Sequence, residues 1–444
     1  MTIPALRTAT AVRPGRRRLS AAALVAVVGL TAGCTGAAGT GRSGTGAMAA
    51  GSSTPPASSA ATAAAMTSSA GTSATTATSG GSASTSVFPV DLAAAVDAAA
   101  QKAISESRAP GVIVRVSDDR GVFEKAYGTA DPATGTPATV TDYFRIGSNT
   151  KTMVVTTMLL LVDQGRINLD APIGDLLPDL PEQWRSVTAR QLAEMRSGIP
   201  AYTGTQAFLT DFEADHQRAF TVEELLAYVA DADLSFAPGT DFAYSNTNLL
   251  LVGMLVERAS GRTVADNLQD LFDKAGLTHT SYPLEGGGFP EPHLHGFSSL
   301  TADGSRQDTS DWSLSWGRSA GAAVSTAEDL ATWVRILADG SLLSPDLQRQ
   351  RLAVVPIPGN PDDDGYGMGI VDAGGWIGHS GDTAGYSSQM YTRADGATLI
   401  VLAATDDAPQ PGADGRVLTA SAAIAEAVSA VLTPQTPFHI PEVG

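Results

Sequence analysis

The chain has 444 residues, 43% of them hydrophobic, a formal charge of −18 and a pI near 4.6. That length has room for two or three domains, and the acidity argues against nucleic acid as a partner. A single cysteine, Cys34, excludes an intrachain disulfide and any cysteine-based metal cluster.

Residues 1–33 have the layout of an export signal. Arg7, Arg13, Arg16, Arg17 and Arg18 form a basic region. Leu19 to Gly33 form an apolar one, too short to span a bilayer as a stable helix. The ending Leu30-Thr31-Ala32-Gly33-Cys34 resembles the lipobox of bacterial lipoproteins, although Thr31 stands where leucine is usual. The resemblance implies lipidation of Cys34 and anchorage at the outer face of the cell membrane. An ordinary secretory signal cut nearby is the alternative, and Arg16-Arg17-Arg18 gives a weak twin-arginine pattern. Residues 34–87 are almost wholly Gly, Ala, Ser and Thr after the cysteine, with little to bury. They are expected to form a disordered tether with a reach on the order of 40 Å.

From residue 88 to 434 the chain reads as globular, leaving 435–444 as a tail. Apolar residues recur at helical spacing over Val90–Ser107, with Asp91 as the expected N-cap. Gly111–Val116 and Val122–Gly128 read as strands joined by a turn at Asp118–Gly121. The middle of the chain is mostly helical, with frequent Gly and Pro breaks. Strand patterns return at Gly375–His379, Ser387–Thr392 and Thr398–Ala403, followed by a helix over Val417–Leu432. This order predicts an α+β fold: an antiparallel sheet built from both ends of the chain, terminal helices over one face, and an inserted helical subdomain.

Three motifs carry chemistry. Ser148-Asn149-Thr150-Lys151 opens an apolar helical run, so serine and lysine fall one turn apart on one face. A serine hydroxyl needs a base before it can attack, whereas a serine opening a helix is usually just a cap. The chain has only four lysines: Lys102, Lys125, Lys151 and Lys274. Tyr244-Ser245-Asn246 follows the Ala237-Pro238-Gly239-Thr240 turn and precedes a helix over Leu249–Ala259. It projects a phenol and an amide, or else a tyrosine packed in the core. His379-Ser380-Gly381 ends a strand-like run, where a glycine lets backbone approach a substrate closely. Its bland reading is a strand histidine at a turn.

Together, in this order, the motifs resemble the serine penicillin-recognising enzymes, specifically the family of class C β-lactamases, D-alanyl-D-alanine carboxypeptidases and related esterases. Val187–Leu192 with Ser197-Gly198-Ile199-Pro200, and Ser315-Trp316 with Ser319–Leu330, extend the similarity over roughly residues 90–430. The resemblance implies a β-lactamase/transpeptidase-like fold and an acyl-enzyme on Ser148, with no cofactor. It assigns proton transfer to Lys151 and Tyr244, with Tyr244, lowered in pKa by Lys151, as the expected base. Asn246 would orient the substrate amide. The N–H groups of Ser148 and Asp382 would form the oxyanion hole beside Gly381. His379, Trp316 and Phe208 would line the substrate pocket.

Two departures bear on substrate. In the peptidases an arginine follows the Tyr-Gly-x-Gly-aliphatic segment, whereas Val371 follows Tyr366-Gly367-Met368-Gly369-Ile370 here. Asp382 follows His-x-Gly, where a hydroxyl is common. Both disfavour an anionic substrate terminus and suit an esterase or amidase acting on neutral or cationic small molecules or peptides. The alternatives are a D-alanyl-D-alanine carboxypeptidase or β-lactamase, and a non-catalytic lipoprotein that binds cell-wall peptides. His293-Leu294-His295 lacks a metal-site framework, and Gly286-Gly287-Gly288 lacks the strand and helix of a phosphate loop.

Overall fold

The computed structural model describes residues 88–284, 289–360, 364–404, 410–411 and 416–441. The expected signal, Cys34, the tether and Gly286–Gly288 lie outside the described residues.

Nine strands form one antiparallel sheet. They are β1 (Gly111–Asp118), β2 (Gly121–Asp131), β3 (Thr136–Pro137), β4 (Val355–Pro356), β5 (Asp364–Tyr366), β6 (Val371–Ala373), β7 (Trp376–Thr383), β8 (Tyr386–Arg393) and β9 (Thr398–Ala404). Their order across the sheet is β3-β2-β1-β9-β8-β7-β6-β5-β4. The N-terminal hairpin therefore joins the C-terminal strands through β1 and β9, with Val114 opposite Val401. Both are β-branched and fully buried, which suits a central strand covered on two faces. Arg115 on β1 faces Glu124 on β2 and pairs with it at 2.8 Å.

Ten helices accompany the sheet among the described residues: α1 (Val90–Glu106), α2 (Thr150–Asp163), α3 (Ala189–Ala193), α4 (Gln206–Ala214), α5 (Val222–Ala227), α6 (Asn246–Ser260), α7 (Val264–Ala275), α8 (Ala327–Asp339), α9 (Pro345–Arg351) and α10 (Ala420–Leu432). Asp91 is not the cap of α1. Pro89 holds that position with its ring-fixed φ of −56°, and Asp91 lies in the first turn, where its charge meets the helix dipole. The last helix starts later than its periodicity suggests, because Val417–Leu418 pairs as a short strand and Thr419 caps α10.

Strand β8 shows how the layers meet. On one face, Ser387 accepts a hydrogen bond from Ser421 N–H and Gln389 donates to Ser421 Oγ, both at the start of α10. On the other, Ser388 Oγ donates to Ile146 O and accepts from Asn149 Nδ2. Alternation of side chains along the strand thus ties one face to the terminal helices and the other to the turn before α2. The packed chain runs past Leu432. Phe438 is buried against Trp376 and Tyr391, and Trp376 Nε1 donates to Thr436 O.

Candidate active site

Ser148 sits in a single 3-10 turn, Gly147–Asn149, that leads directly into α2. Helix α2 is buried almost all round, including Met153, Val154, Val155, Met158 and Leu159, so it serves as a fixed post through the core. The turn is clamped on two sides. Ile146 N–H donates to Ala323 O, and Ala323 N–H donates to Thr150 Oγ. Opposite, β7 presses close: a Cβ on Gly381 would stand 1.9 Å from Ile146 O. Gly147 has a positive φ of 50°, and a Cβ there would come within 2.8 Å of both the N and O of Asp382. Two glycines thus bring the peptide of Asp382 against the residue preceding Ser148.

Lys151 is fully buried. Its Nζ donates to Ser148 Oγ at 2.7 Å and to Ala320 O at 2.7 Å, and lies 4.9 Å from the centre of the Tyr244 ring. Burial holds the amine well below its ordinary pKa, with Asp382 opposing the shift. An amine whose pKa is lowered by burial gives up its proton more readily, and one within hydrogen-bond reach of a hydroxyl is placed to accept that hydroxyl's proton.

Tyr244 arrives from the loop before α6, and its hydroxyl hydrogen-bonds with Ser148. The expectation that Lys151 lowers its pKa is wrong. Burial pushes the phenol upward, the hydrogen bond with Ser148 only moderates this, and Asp382 adds to it. The physical reason is that enclosure disfavours the charged phenolate, and the only favourable contact acting against it is the hydrogen bond with Ser148. Asn246, the first residue of α6, is buried and donates from Nδ2 to Thr203 Oγ at 3.1 Å.

His379 is buried, and its two nitrogens are both engaged. Nδ1 lies 2.5 Å from Ser380 O, a group that only accepts, so Nδ1 carries the proton. Nε2 then accepts from the Tyr366 hydroxyl at 3.1 Å. Burial, followed by the charge of Lys151, depresses the imidazole to about 3. The expected substrate contact by His379 is therefore replaced by a supporting one: a neutral ring of fixed tautomer, 6.2 Å from the Tyr244 ring centre. Phe208 is likewise no pocket wall. It is 1% exposed and surrounded by the rings of Tyr202, Phe212, Phe220, Tyr228 and Trp316, with centroids 5.3–6.2 Å away. Trp316 packs against that cluster, and its carbonyl accepts from Tyr202 Oη at 2.5 Å.

Asp382 keeps some exposed surface, but its Oδ1 is sealed from solvent with no hydrogen-bond partner among the described residues. Burial raises the carboxyl to about 7, against the pull of Lys151. Val371 is buried in β6.

Sequence reasoning missed Ala320, Tyr366 and Thr203. Ala320 acts through its carbonyl, which has no side-chain signature. Tyr366 and Thr203 matter through partners across the sheet and across a loop. The two histidines of His293-Leu294-His295 stack on one another at 4.7 Å, with Phe289 beyond His293. No set of three or more His, Cys, Asp or Glu among the described residues has metal-holding geometry.

The family model Beta-lactamase matches residues 93–424. Esterase EstB of Burkholderia gladioli is 32% identical over 191 residues, covering 40% of this chain and 48% of that protein. Penicillin-binding protein 4 of Amycolatopsis lactamdurans is 31% identical over 189 residues, 40% and 46% of the two chains. The chain thus spans about half the length of the curated relatives it matches. A D-stereospecific amidohydrolase from Streptomyces sp. superposes with a TM-score of 0.65 at 29% identity, over 70% of this chain and 94% of that one. A D-amino acid amidase from Ochrobactrum anthropi SV3 gives 0.62 at 26% identity, over 71% and 93%. With its serine, lysine and tyrosine converging at the junction of sheet and helices, this chain belongs to the beta-lactamase family.

Proposed function

We propose that the protein is an exported serine hydrolase that cleaves an ester or amide bond through an acyl-enzyme on Ser148. The observation that carries this is the contact at 2.7 Å between Ser148 Oγ and the buried Nζ of Lys151, whose pKa burial lowers. In acylation Oγ bonds to the carbonyl carbon while its proton passes to Nζ. The carbonyl oxygen gains negative charge and takes hydrogen bonds from the N–H groups of Ser148 and Asp382. The bond to the leaving alcohol or amine then breaks. Tyr244, kept protonated by burial, gives its phenolic proton to that group and is reprotonated from Lys151. Water attacks the acyl-enzyme, giving up a proton to the same pair, and Ser148 leaves with one.

Similarity to an esterase and to two amidohydrolases supports this reading over a peptidase or β-lactamase. Val371 and Asp382 offer no cation to a substrate carboxylate. The penicillin-binding relative keeps the peptidase or β-lactamase as the second reading. A non-catalytic envelope binder has no use for a buried lysine held on a serine hydroxyl. Lipidation of Cys34 would hold the domain at the outer membrane face by its tether.

A fluorophosphonate probe is expected to label Ser148 in the full chain and nothing in Ser148→Ala. A labelled penicillin is expected to react poorly. Silence from both reagents would overturn the hydrolase reading, whereas fast penicillin labelling would favour the second one. A Cys34→Ser chain still partitioning with membranes would overturn the anchor.

A further inference from the structure

Among the described residues, two that are not glycine have a left-handed backbone: Met195 with a φ of 57° and Arg318 with a φ of 38°. Side chains disfavour this region sterically, and residues persist in it where the surrounding structure holds them there. Arg318 opens the turn Arg318–Ala320, whose last carbonyl accepts from Lys151 Nζ. Met195 makes the corresponding contacts with the loop that carries Tyr244.

Met195 follows the end of α3. Its N–H donates to Leu192 O at 3.2 Å, and the next N–H, of Arg196, donates to Gln191 O at 2.8 Å. These two bonds form a Schellman ending, with Glu194 as C-cap and Met195 in the place after it. Glycine is the usual occupant of that place, because without a Cβ it enters the left-handed region freely. A methionine there accepts a strained backbone, and its contacts show what is gained.

Met195 is fully buried. Its carbonyl accepts from Ala243 N–H at 3.0 Å, and its Sδ accepts from Ser245 N–H at 3.5 Å. One residue therefore holds the N–H groups on both sides of Tyr244. The sulfur also accepts from Asn248 Nδ2 at 3.6 Å, which ties the same loop to the first turn of α6. A thioether is a weak acceptor, yet Ser245 is buried, and its N–H loses this bond if the sulfur is removed.

We propose that Met195 is a positioning residue for Tyr244, its carbonyl and thioether together aiming the phenol at the leaving group. This rests on the hydrolase reading above, in which Tyr244 Oη gives its proton to the leaving atom as the bond to the carbonyl carbon breaks. Met195 acts by fixing the peptide from which the phenol projects.

The test compares two acetyl esters that differ only in the leaving group. p-Nitrophenoxide departs without a proton, whereas ethoxide needs one. Both esters give the same acetyl-enzyme, and kcat/KM covers no step after its formation. The ratio of kcat/KM for ethyl acetate to that for p-nitrophenyl acetate therefore reads proton donation, whatever fraction of the full chain is folded. Tyr244→Phe is expected to lower the ratio tenfold or more. Met195→Leu, which keeps the bulk and removes the acceptor, is expected to lower it threefold or more and to add nothing in the Tyr244→Phe background. Met195→norleucine, which exchanges only the sulfur for a methylene, supplies the same reading where Met195→Leu folds poorly. Equal slowing of both esters by the Met195 variants would make it a packing residue and overturn the proposal, as would a further fall of the ratio in the double variant. An unchanged ratio in Tyr244→Phe removes the donor role of Tyr244 and the positioning role with it. A chain that fluorophosphonate labels but that leaves ethyl acetate intact has no working donor to position, which also overturns the proposal. Absence of labelling would instead sink the hydrolase reading.

Discussion

At the scale of single residues, burial sets the chemistry of this site. A lysine and a tyrosine side by side suggest a cation lowering a phenol. Enclosure reverses that order by lowering the pKa of the lysine and raising that of the phenol. The rate should then follow deprotonation of Lys151, because only the free amine accepts the proton of Ser148. Since its pKa is lowered, kcat/KM is expected to rise on the acid side and to be flat well before pH 10. A rate still climbing through pH 10 would mean that Lys151 is an ordinary lysine. Lys151→Met, of similar length and without the amine, should lower kcat/KM by about 10³-fold with the thermal midpoint largely kept.

Asp382 gives a stability prediction of definite sign. Its folded pKa of about 7 lies above the ordinary 3.8, so the folded state binds the extra proton between those values. The contribution of Asp382 to stability is therefore lost as pH rises from about 4 to 7, and Asp382→Asn lacks this loss. The melting point of Asp382→Asn should match that of the wild type near pH 4 and exceed it at pH 7.5. Differential scanning calorimetry at the two pH values checks this, and a constant offset would contradict it. His379 acts in the opposite sense: depressed to about 3, it withholds a proton from the folded state and costs stability as pH falls below about 6.5.

Among elements, the decisive contact is that of β7 with the turn before α2. The oxyanion N–H groups proposed for Ser148 and Asp382 come from two segments far apart in sequence. They meet because residues 147 and 381 lack side chains. Gly381→Ala places a Cβ against Ile146 O and close to Ser388 Oγ and Asn149 Nδ2. The backbone contact has no flexible side chain to yield, so β7 must move. We expect a loss of at least about 3 kcal/mol in denaturant unfolding and no fluorophosphonate labelling. Gly396→Ala serves as the comparison. Its position also has a positive φ but has open space around the new Cβ, so labelling should persist there.

For the whole molecule, the sheet separates support from chemistry. Phe438 packs under β7 and β8 on the face away from Ser148, against Tyr391 at 4.6 Å. Phe438→Ala should cost about 3–5 kcal/mol of stability and leave the labelling rate of the folded protein unchanged. A drop in that rate would show that the two faces are coupled.

The contact of Ser148 with Lys151 was legible in the sequence because helix geometry is local: three residues of spacing already place the two on one face. The strands around Val112–Val116 and Leu399–Leu402 were legible for the same reason, as was their assembly into an antiparallel sheet from both chain ends. Resemblance added the expected roles of Tyr244 and Asn246, whose motif stood out in the sequence, as did the strand pattern at Gly375–His379. What tertiary structure alone decided was the protonation of these groups. The pKa of Lys151 falls only when the surrounding core encloses it. His379 becomes a neutral support only when Tyr366 reaches it across β6. Phe208 becomes core only when five other rings close around it. Burial and hydrogen-bond partners are properties of the folded whole, and spacing along the chain carries no record of them.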